Sequence, residues 1–317
     1  MNTSFEQLEQ LTSQLAIEQK RFLINLLEGQ VSGQTCLDVL SAHQDKINQC
    51  PHCKSQHIKR NGKINQRQRY FCHACKKSFM STFNTPFYRL RWPEKWMRYF
   101  TCMINSLTIR RSAKDSNINK NTSFLWRHKF LKLLNQQSET HLSGIVEMDE
   151  TLFRYSEKGS RHLSRPKHKR GRDKAGRGRK KGDWVAVLVS RDRQQQTFDK
   201  KLESTTGDSL YKLLKARIDK DSVICSDGFR SYRVLAKKLE MIHKPINLSK
   251  GIRVTEKVFH IQNVNAYHGR LHNWMDRFHG VATKNLDNYL SWFRFFESNN
   301  NPNENNLLLL QTQLIGT

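Results

Sequence analysis

Apolar residues recur at two different spacings along this 317-residue chain. In residues 1–49 they follow a helical interval, as at Leu8, Leu11 and Leu15, and this spacing predicts amphipathic helices. In the second half, apolar runs of strand length occur at 145–153, 184–190 and 222–229, and helical patterns occur at 208–217, 234–240 and 263–297. Strands interleaved with helices predict a mixed α/β sheet domain.

Residues 107–131 show a further helical pattern that is interrupted by a polar turn. Ala113 and Ile118 fit the small and apolar positions around such a turn, and Asn119 is suited to cap the next helix. The predicted buried stripe of that helix comprises Phe124, Leu125, His128 and Leu131. The predicted exposed face comprises Lys120, Asn121, Ser123 and Arg127. The pattern is typical of a DNA-reading helix-turn-helix, and a plain helical hairpin with a solvated basic face is the alternative.

Four cysteines are set in two knuckles of the same spacing, Cys50-Pro-His-Cys53 and Cys72-His-Ala-Cys75. Two such knuckles can close a tetrahedral thiolate site around one Zn²⁺ ion, so the sequence predicts a zinc ribbon. Two disulfides or four unrelated thiols are the alternatives. Between the knuckles, Asn61-Gly62 predicts the turn of a β-hairpin.

The charge of the chain is strongly positive. Its 55 Lys and Arg against 28 Asp and Glu give a formal charge of +27, and residues 50–135 hold 19 basic residues against only Glu94 and Asp115. Such an excess is typical of polyanion binding, with nucleic acid as the first candidate. No apolar run is long enough to span a bilayer and no signal-peptide pattern is present, so we expect a cytoplasmic protein without a membrane partner.

A basic insertion, residues 158–182, interrupts the α/β pattern. Residues 158–181 hold twelve Lys and Arg, one acid and several glycines. This composition predicts a cationic loop that is solvated in the free protein and lies on DNA phosphates without reading sequence. The residues predicted to contact DNA there are Lys167, Lys169, Arg170 and Arg172.

Two aspartates, Asp149 and Asp227, are predicted to end two of the apolar strands. Side chains of neighbouring strands converge at a sheet edge, and paired carboxylates there suit a hard cation such as Mg²⁺. Two such ions about 4 Å apart activate an attacking oxygen and stabilise a leaving one in phosphodiester chemistry. Taken alone, acids at strand ends are more often caps or loop residues.

The motifs follow one another in a distinctive order. After the knuckles and the helix-turn-helix pattern come Glu147-Met-Asp-Glu-Thr151, the basic insertion, 184–192, Cys225-Ser-Asp-Gly228 and 260–271. Beyond residue 50 this order resembles that of bacterial insertion-sequence transposases of the ISXO2-like family. The resemblance implies an RNase H-like catalytic domain with a mixed five-stranded sheet, and a DD(E/N/H) triad holding two Mg²⁺ or Mn²⁺ ions. It also implies cleavage and joining of DNA strands at the ends of a mobile element.

The resemblance places the triad at Asp149, Asp227 and Asn265. Asparagine departs from the commoner acid, because its amide oxygen is neutral and a poorer Mg²⁺ ligand than a carboxylate. His268 and His272 follow on the same helical face, near where relatives often have Lys or Arg. They are candidates to contact the scissile phosphate, and a plain helix-surface position is the alternative.

Two glutamates flank the first aspartate. Glu147 shares the strand face of Asp149 and is a candidate supporting residue or alternative ligand, whereas Glu150 is predicted to point away.

We therefore expect a helical region (1–49), a zinc ribbon (50–82), an all-α helix-turn-helix domain (83–140), a catalytic domain (141–297) and a tail (298–317). The expected protein is a transposase that binds the terminal inverted repeats of an insertion sequence. Its expected partner is double-stranded DNA in the nucleoid, bound as a homodimer or higher oligomer. A DNA-binding regulator derived from an inactive transposase is the main alternative, because the third triad position is asparagine. A structural nucleoid or RNA-binding protein would explain the charge but not the aspartates.

Overall fold

The computed structural model describes residues 2–21, 23–24, 27, 47–64, 67–136, 140–165, 182–247, 251–299 and 302–303. The chain divides into two compact units, residues 1–130 with 302–317, and residues 131–301. The predicted basic-loop residues and most of the predicted tail lie outside the described residues. Among the helices that are described, none has the length and apolar character needed to cross a membrane.

The first unit contains a small antiparallel sheet in the order β1-β2-β3. Its strands are β1 (Ile58–Ile64), β2 (Arg67–Cys72) and β3 (Ser78–Met80). The inner face of this sheet is small and is built from Tyr70, Phe79 and the cysteines Cys50 and Cys72. A core of so few apolar residues buries little surface. A sheet of this size normally needs a bound metal or a covalent crosslink to be stable.

Asn61-Gly62 does not form the predicted turn. Both residues lie within β1, where Arg60 pairs with Tyr70 and Lys63 pairs with Gln68, so that two residues face one on β2. Gly62 has a φ of +72°, which a glycine adopts without strain. The dipeptide therefore forms a β-bulge, a feature that needs the same backbone freedom as a tight turn and has the same sequence signal.

The first unit also contains helices. They are α1 (Asn2–Ser13), α2 (Trp96–Ile104), α3 (Ile109–Asp115) and α4 (Lys120–Gln136), with a 3₁₀ turn at Pro93–Lys95. The last six residues of α4 belong to the second unit. Large aromatic side chains, among them Trp96, Tyr99 and Trp126, are fully buried between α2 and α4. Four residues join α3 to α4, and Asn119 Oδ1 accepts a hydrogen bond from the Asn121 amide (2.8 Å), which is the cap that the sequence predicts.

The buried face of α4 differs from the predicted stripe. Phe124 and Leu125 are 48% and 52% exposed, whereas Ser123 and Arg127 are fully buried. The prediction that Ser123 and Arg127 are exposed toward DNA is therefore wrong. Lys120 is exposed, as predicted, and so is Asn121.

Hydrogen bonds explain why two polar residues turn inwards. The Arg127 guanidinium donates to the Leu107 carbonyl (2.9 Å) and to Ser112 Oγ (3.0 Å). The Ser123 hydroxyl donates to the Ile109 carbonyl (2.9 Å). Both side chains thus satisfy groups at the start of α3, which offsets the cost of burying them.

The second unit is built on a five-stranded mixed sheet in the order β6-β5-β4-β7-β8. Its strands are β4 (Ile145–Arg154), β5 (Trp184–Asp192), β6 (Thr197–Lys201), β7 (Val223–Ser226) and β8 (Ile242–Pro245). β4, β5 and β6 are antiparallel neighbours, and β7 and β8 run parallel to β4. The central strand β4 therefore lies between an antiparallel and a parallel partner.

Helices cover both faces of this sheet. They are α5 (Gly207–Leu214), α6 (Arg230–Leu239), α7 (Gln262–Asp276) and α8 (Leu286–Ser298), with a 3₁₀ turn at Thr283–Asn285. Val146 and Met148 of β4 pack with residues of α5 and α6 in one apolar core. The alternate β4 residues Glu147, Asp149 and Thr151 contact α7 instead. The period of two in a strand thus directs polar residues of β4 toward one helix.

Candidate active site and metal centre

The four cysteines of the knuckles meet in the first unit. Their sulfur atoms lie within 4.8 Å of one another, with Cys50 and Cys75 3.7 Å apart and Cys53 and Cys72 3.6 Å apart. Tetrahedral coordination with Zn–S bonds of about 2.3 Å requires sulfur separations of about 3.8 Å. None of the four forms a disulfide, so their geometry fits one zinc ion.

The four thiols share hydrogen bonds, and their pKa values move in opposite directions. The Cys75 amide lowers the pKa of Cys72, whereas burial and the other three thiols raise that of Cys53. A zinc ion would remove this competition, because it binds all four as thiolates. His52 and His73 are exposed and rest against the aromatic rings of Phe83 and Phe71. With four sulfur ligands in place, neither histidine is needed as a ligand.

In the second unit, Asp149 and Asp227 come side by side. Asp149 lies in the middle of β4 rather than at its end, which corrects the sequence prediction, and Asp227 directly follows β7. Parallel pairing of Met148 with Ser226 brings the two aspartates to neighbouring positions on the same face. Burial, and then the charge of Asp227, raises the pKa of Asp149 to about 6.

The turn after β7 orients the second carboxylate. Asp227 Oδ1 accepts a hydrogen bond from the Phe229 amide (2.9 Å). Gly228 between them has a φ of +82°, and an added Cβ would lie 3.2 Å from the Pro245 side chain. Glycine is therefore required at this turn for both its conformation and its size.

Both aspartates line an open cleft of about 520 Å³. The other residues that line it are Glu150, Thr151, Leu152, Trp184, Ala186, Thr205, Phe229 and His272. A cavity of this volume falls in the range that takes a small ligand or one unit of a polymer.

Helix α7 places two histidines beside these carboxylates. His268 Nδ1 lies 3.9 Å from Asp149 Oδ2, and burial, followed by the charge of His272, lowers the pKa of His268 to about 4. His272 Nε2 lies 2.7 Å from Thr151 Oγ1, and burial lowers its pKa as well. Both imidazoles are neutral at pH 7, so they can act as hydrogen-bond donors or acceptors but not as standing positive charges.

Comparison with known families identifies this unit. Residues 141–297 match the family model described as the ISXO2-like transposase domain. These residues form an ISXO2-like transposase domain. Among curated proteins, none matches the chain significantly. The match covers the five-stranded sheet, the cleft and α7 together.

Within the transposase domain, Asn265 is placed differently from the two aspartates. It lies in the first turns of α7, its side chain is exposed, and it is not among the residues that line the cleft. The structure thus brings Asp149, Asp227 and His272 into one cleft, places His268 next to Asp149, and leaves Asn265 on the helix surface.

Glu150 is the cleft residue of the transposase domain that the sequence prediction missed. Burial, together with the charges of Asp149 and Asp227, raises its pKa to about 7, although a hydrogen bond with Tyr232 acts to lower it. Its Oε1 atom is buried. Alternation along β4 sends Glu150 to the opposite face from Asp149, but the cleft opens at the sheet edge and reaches both faces.

Glu147 holds the beginning of α7 in the transposase domain. Its fully buried carboxylate accepts hydrogen bonds from the amides of Asn263 (2.9 Å) and Val264 (3.1 Å). Arg193 forms an ion pair with it at 2.7 Å, and His260 lies 3.3 Å away. Negative charge at a helix N-terminus is favourable, so Glu147 acts as the cap that fixes the helix carrying Asn265 and both histidines.

Proposed function

We propose that this protein is a DNA transposase that cleaves and joins strands at the ends of an insertion sequence. The observation that carries the proposal is the meeting of Asp149 and Asp227 in one cleft of a domain that matches a transposase family. Following the family resemblance, we assign the mixed five-stranded sheet to an RNase H-like catalytic domain.

The donor set of the cleft suits Mg²⁺ or Mn²⁺. Both ions prefer oxygen ligands, and two carboxylates held together without a cation leave negative charge uncompensated. The raised pKa values of Asp149 and Glu150 show that the cleft disfavours their negative charge, which a bound cation would offset. When bound, two such ions would activate the attacking oxygen and stabilise the leaving one.

The protein's own residues would position the reaction. Asp149 and Asp227 would hold the ions, and His272 would donate a hydrogen bond to a phosphate oxygen from the cleft wall. Water adds to phosphorus as the P–O3′ bond breaks, which frees a 3′-hydroxyl. That hydroxyl then attacks a phosphodiester bond of the target DNA and displaces its 3′ oxygen.

Recognition of the element ends is assigned to the first unit. Its zinc ribbon and the α3–α4 helix-turn-helix belong to the basic segment of residues 50–135, and the predicted contacts Lys120 and Asn121 are exposed. Ser123 and Arg127 support this helix pair from inside, so we exclude them from the DNA contacts. Lys167, Lys169, Arg170 and Arg172 remain proposed phosphate contacts.

Metal-dependent cleavage decides between a transposase and a regulator. Purified protein is incubated with Mg²⁺ and DNA that carries the flanks of its own gene, and nicks are mapped on a sequencing gel. Asp149→Ala and Asp227→Ala should each abolish cleavage and strand transfer and leave DNA affinity within about threefold, since affinity comes mainly from phosphate contacts elsewhere. DNA binding without any cleavage by the parent protein would support the regulator.

A second experiment locates the third ligand. Titration calorimetry with Mn²⁺ in the absence of DNA compares Asn265→Ala and Glu150→Gln with the parent, and Glu203→Gln, an exposed residue outside the cleft, is the control. If Asn265 is the ligand, Asn265→Ala weakens Mn²⁺ binding and Asn265→Asp strengthens it. If the cleft carboxylate is used instead, Glu150→Gln has the larger effect.

A further inference from the structure

Two aromatic side chains of the cleft have no role in the proposed metal chemistry. Phe229 is 55% exposed, and Trp184 is partly exposed at the start of β5. Both line the same cleft as Asp149 and Asp227. Large aromatic residues normally bury their rings, so an exposed ring next to a reactive site indicates a binding surface.

The position of Phe229 relates it to one nucleotide of a bound strand. It lies two residues after Asp227, which limits the distance between their α-carbons to about 7 Å. A phosphate held at Asp227 would therefore place the base of its own or the next nucleotide beside the Phe229 ring.

Trp184 lines the cleft from β5. It pairs with Arg154 across β4 and β5, and the Arg154 guanidinium lies 5.5 Å from the centre of its ring. Arg154 is exposed, so a positive charge accompanies this ring. Aromatic rings with adjacent arginine are the usual surface for stacking the bases of an unpaired strand, because every base has a flat π face.

Within a continuous duplex both faces of a base are covered by its neighbours. A protein ring can stack only on a base at a duplex end or on one that has left the stack. We propose that Phe229 and Trp184 form a stacking site for an unpaired base next to the scissile phosphate, so that the DNA end is opened when it enters the cleft. This inference rests on the proposed function, because it takes DNA as the ligand of the cleft.

Stacking on an aromatic ring predicts a defined effect on rate. Losing one stacked base costs about 5- to 150-fold in affinity, so Phe229→Ala should slow cleavage of fully paired ends by a factor in that range. DNA with mismatches at the terminal positions already has unpaired bases, so the loss should be smaller there. Phe229→Leu keeps apolar volume without a ring and should resemble Phe229→Ala, whereas Phe229→Trp should resemble the parent.

The experiment uses the full-length protein and the DNA flanks of its own gene. Cleavage rates are measured in Mg²⁺ on paired and mismatched ends for the three Phe229 variants. Ile242→Ala is the control, because Ile242 is 61% exposed and lies outside the cleft. In parallel, 5-iodouracil replaces thymine near the end, Ca²⁺ replaces Mg²⁺, and mass spectrometry locates the photo-crosslinked residue.

Crosslinks at Phe229 or Trp184, together with slower cleavage of paired ends by Phe229→Ala, would support the stacking site. Cleavage of both DNAs by Phe229→Ala within twofold of the parent, without crosslinks at either ring, would overturn it. If the parent cleaves no DNA at all, the proposed function fails, and the crosslinks in Ca²⁺ still decide the stacking site by themselves.

Discussion

The carboxyl group of Asp149 lies where burial and a second carboxylate both oppose its ionisation, and its pKa of about 6 reflects both. An unfolded chain ionises the same group near pH 4. Between these values the folded protein binds the extra proton. Its free energy of unfolding therefore falls as the pH rises from about 4 to about 6, and the full cost is present above pH 6.

Asp149→Asn should remove this cost. Without divalent ions, we expect the free energy of unfolding of the variant to exceed that of the parent by about 1–3 kcal/mol at pH 8. At pH 4 the two values should differ little. Urea denaturation at both pH values measures this, and Asp221→Asn, at an exposed position, is the control. Saturating Mg²⁺ should reduce the gap by stabilising only the parent. A gap of the same size at both pH values would contradict the assigned cause.

Single residues also show where sequence patterns are insufficient. The alternation rule correctly separates Glu147 and Asp149 from Val146, but it says nothing about a cleft that opens at the sheet edge and admits Glu150. The helical stripe of α4 could not be predicted from hydrophobicity, because Arg127 is buried by hydrogen bonds to Leu107 and Ser112. Such bonds depend on where α3 lies, which local sequence does not determine.

At the scale of elements, long apolar runs were the most reliable signal. The predicted strands at 145–153 and 184–190 correspond to β4 and β5, and the pattern at 263–297 forms two helices, α7 and α8. The residue pattern did not predict β6 and β8, because each is short and contains lysine. They exist because β5 and β7 offer open edges with which they pair.

The cap of α7 can be tested at this scale. Glu147→Ala leaves Arg193, His260 and two helix amides without their shared acceptor. We expect a loss of about 2–4 kcal/mol in the free energy of unfolding, because two helix amides lose their acceptor at about 1–3 kcal/mol each, while the partly exposed Arg193 adds less. Glu147→Gln keeps one acceptor oxygen and should lose less. Urea denaturation gives both values, and Glu203→Ala is the exposed control; equal losses for Glu147→Ala and Glu203→Ala would exclude the capping role.

We expect a zinc ion held by the cysteine quartet to determine whether the small sheet of the first unit folds. Cys72→Ser removes one ligand from a quartet whose sulfur atoms lie within 4.8 Å of one another. Since binding free energy in such small modules is folding free energy, we expect loss of the bound zinc, unfolding of β1–β3 and weaker DNA binding. Metal analysis by mass spectrometry measures the first effect. Cys102→Ser changes a buried cysteine outside the quartet and should retain one zinc per chain.

For the whole molecule, the sequence order of motifs carried more information than any one pattern. Two aspartates near strand ends do not define a site, but the order of the motifs indicated the family whose domain model matches residues 141–297. The order of motifs does not show that the two aspartates are close in space. The parallel pairing of β4 with β7 makes Asp149 and Asp227 neighbours. Asn265 shares a helical face with His268 and His272, yet its side chain is exposed. That difference depends on how each turn of α7 packs against β4, which local sequence does not determine.

The net charge of +27 means that basic residues throughout the chain contribute to DNA affinity. The dependence of binding on salt concentration distinguishes the contribution of one segment from that of another. Each phosphate contact contributes about −0.9 to the slope of log K against log salt. We therefore expect a smaller slope, by up to about 3.6, when Ala replaces the four basic residues Lys167, Lys169, Arg170 and Arg172. The affinity for DNA should fall to a similar extent whatever the sequence of the DNA.

A matched variant replaces Lys212, Lys220, Lys237 and Lys257, which are exposed outside the insertion, and changes the net charge equally. If the insertion contacts phosphates, only the first variant flattens the slope, and the preference for the element ends is retained in both. Equal slopes for the two variants, measured by fluorescence anisotropy from about 50 to 200 mM salt, would mean that charge acts at long range and that the insertion makes no contact of its own.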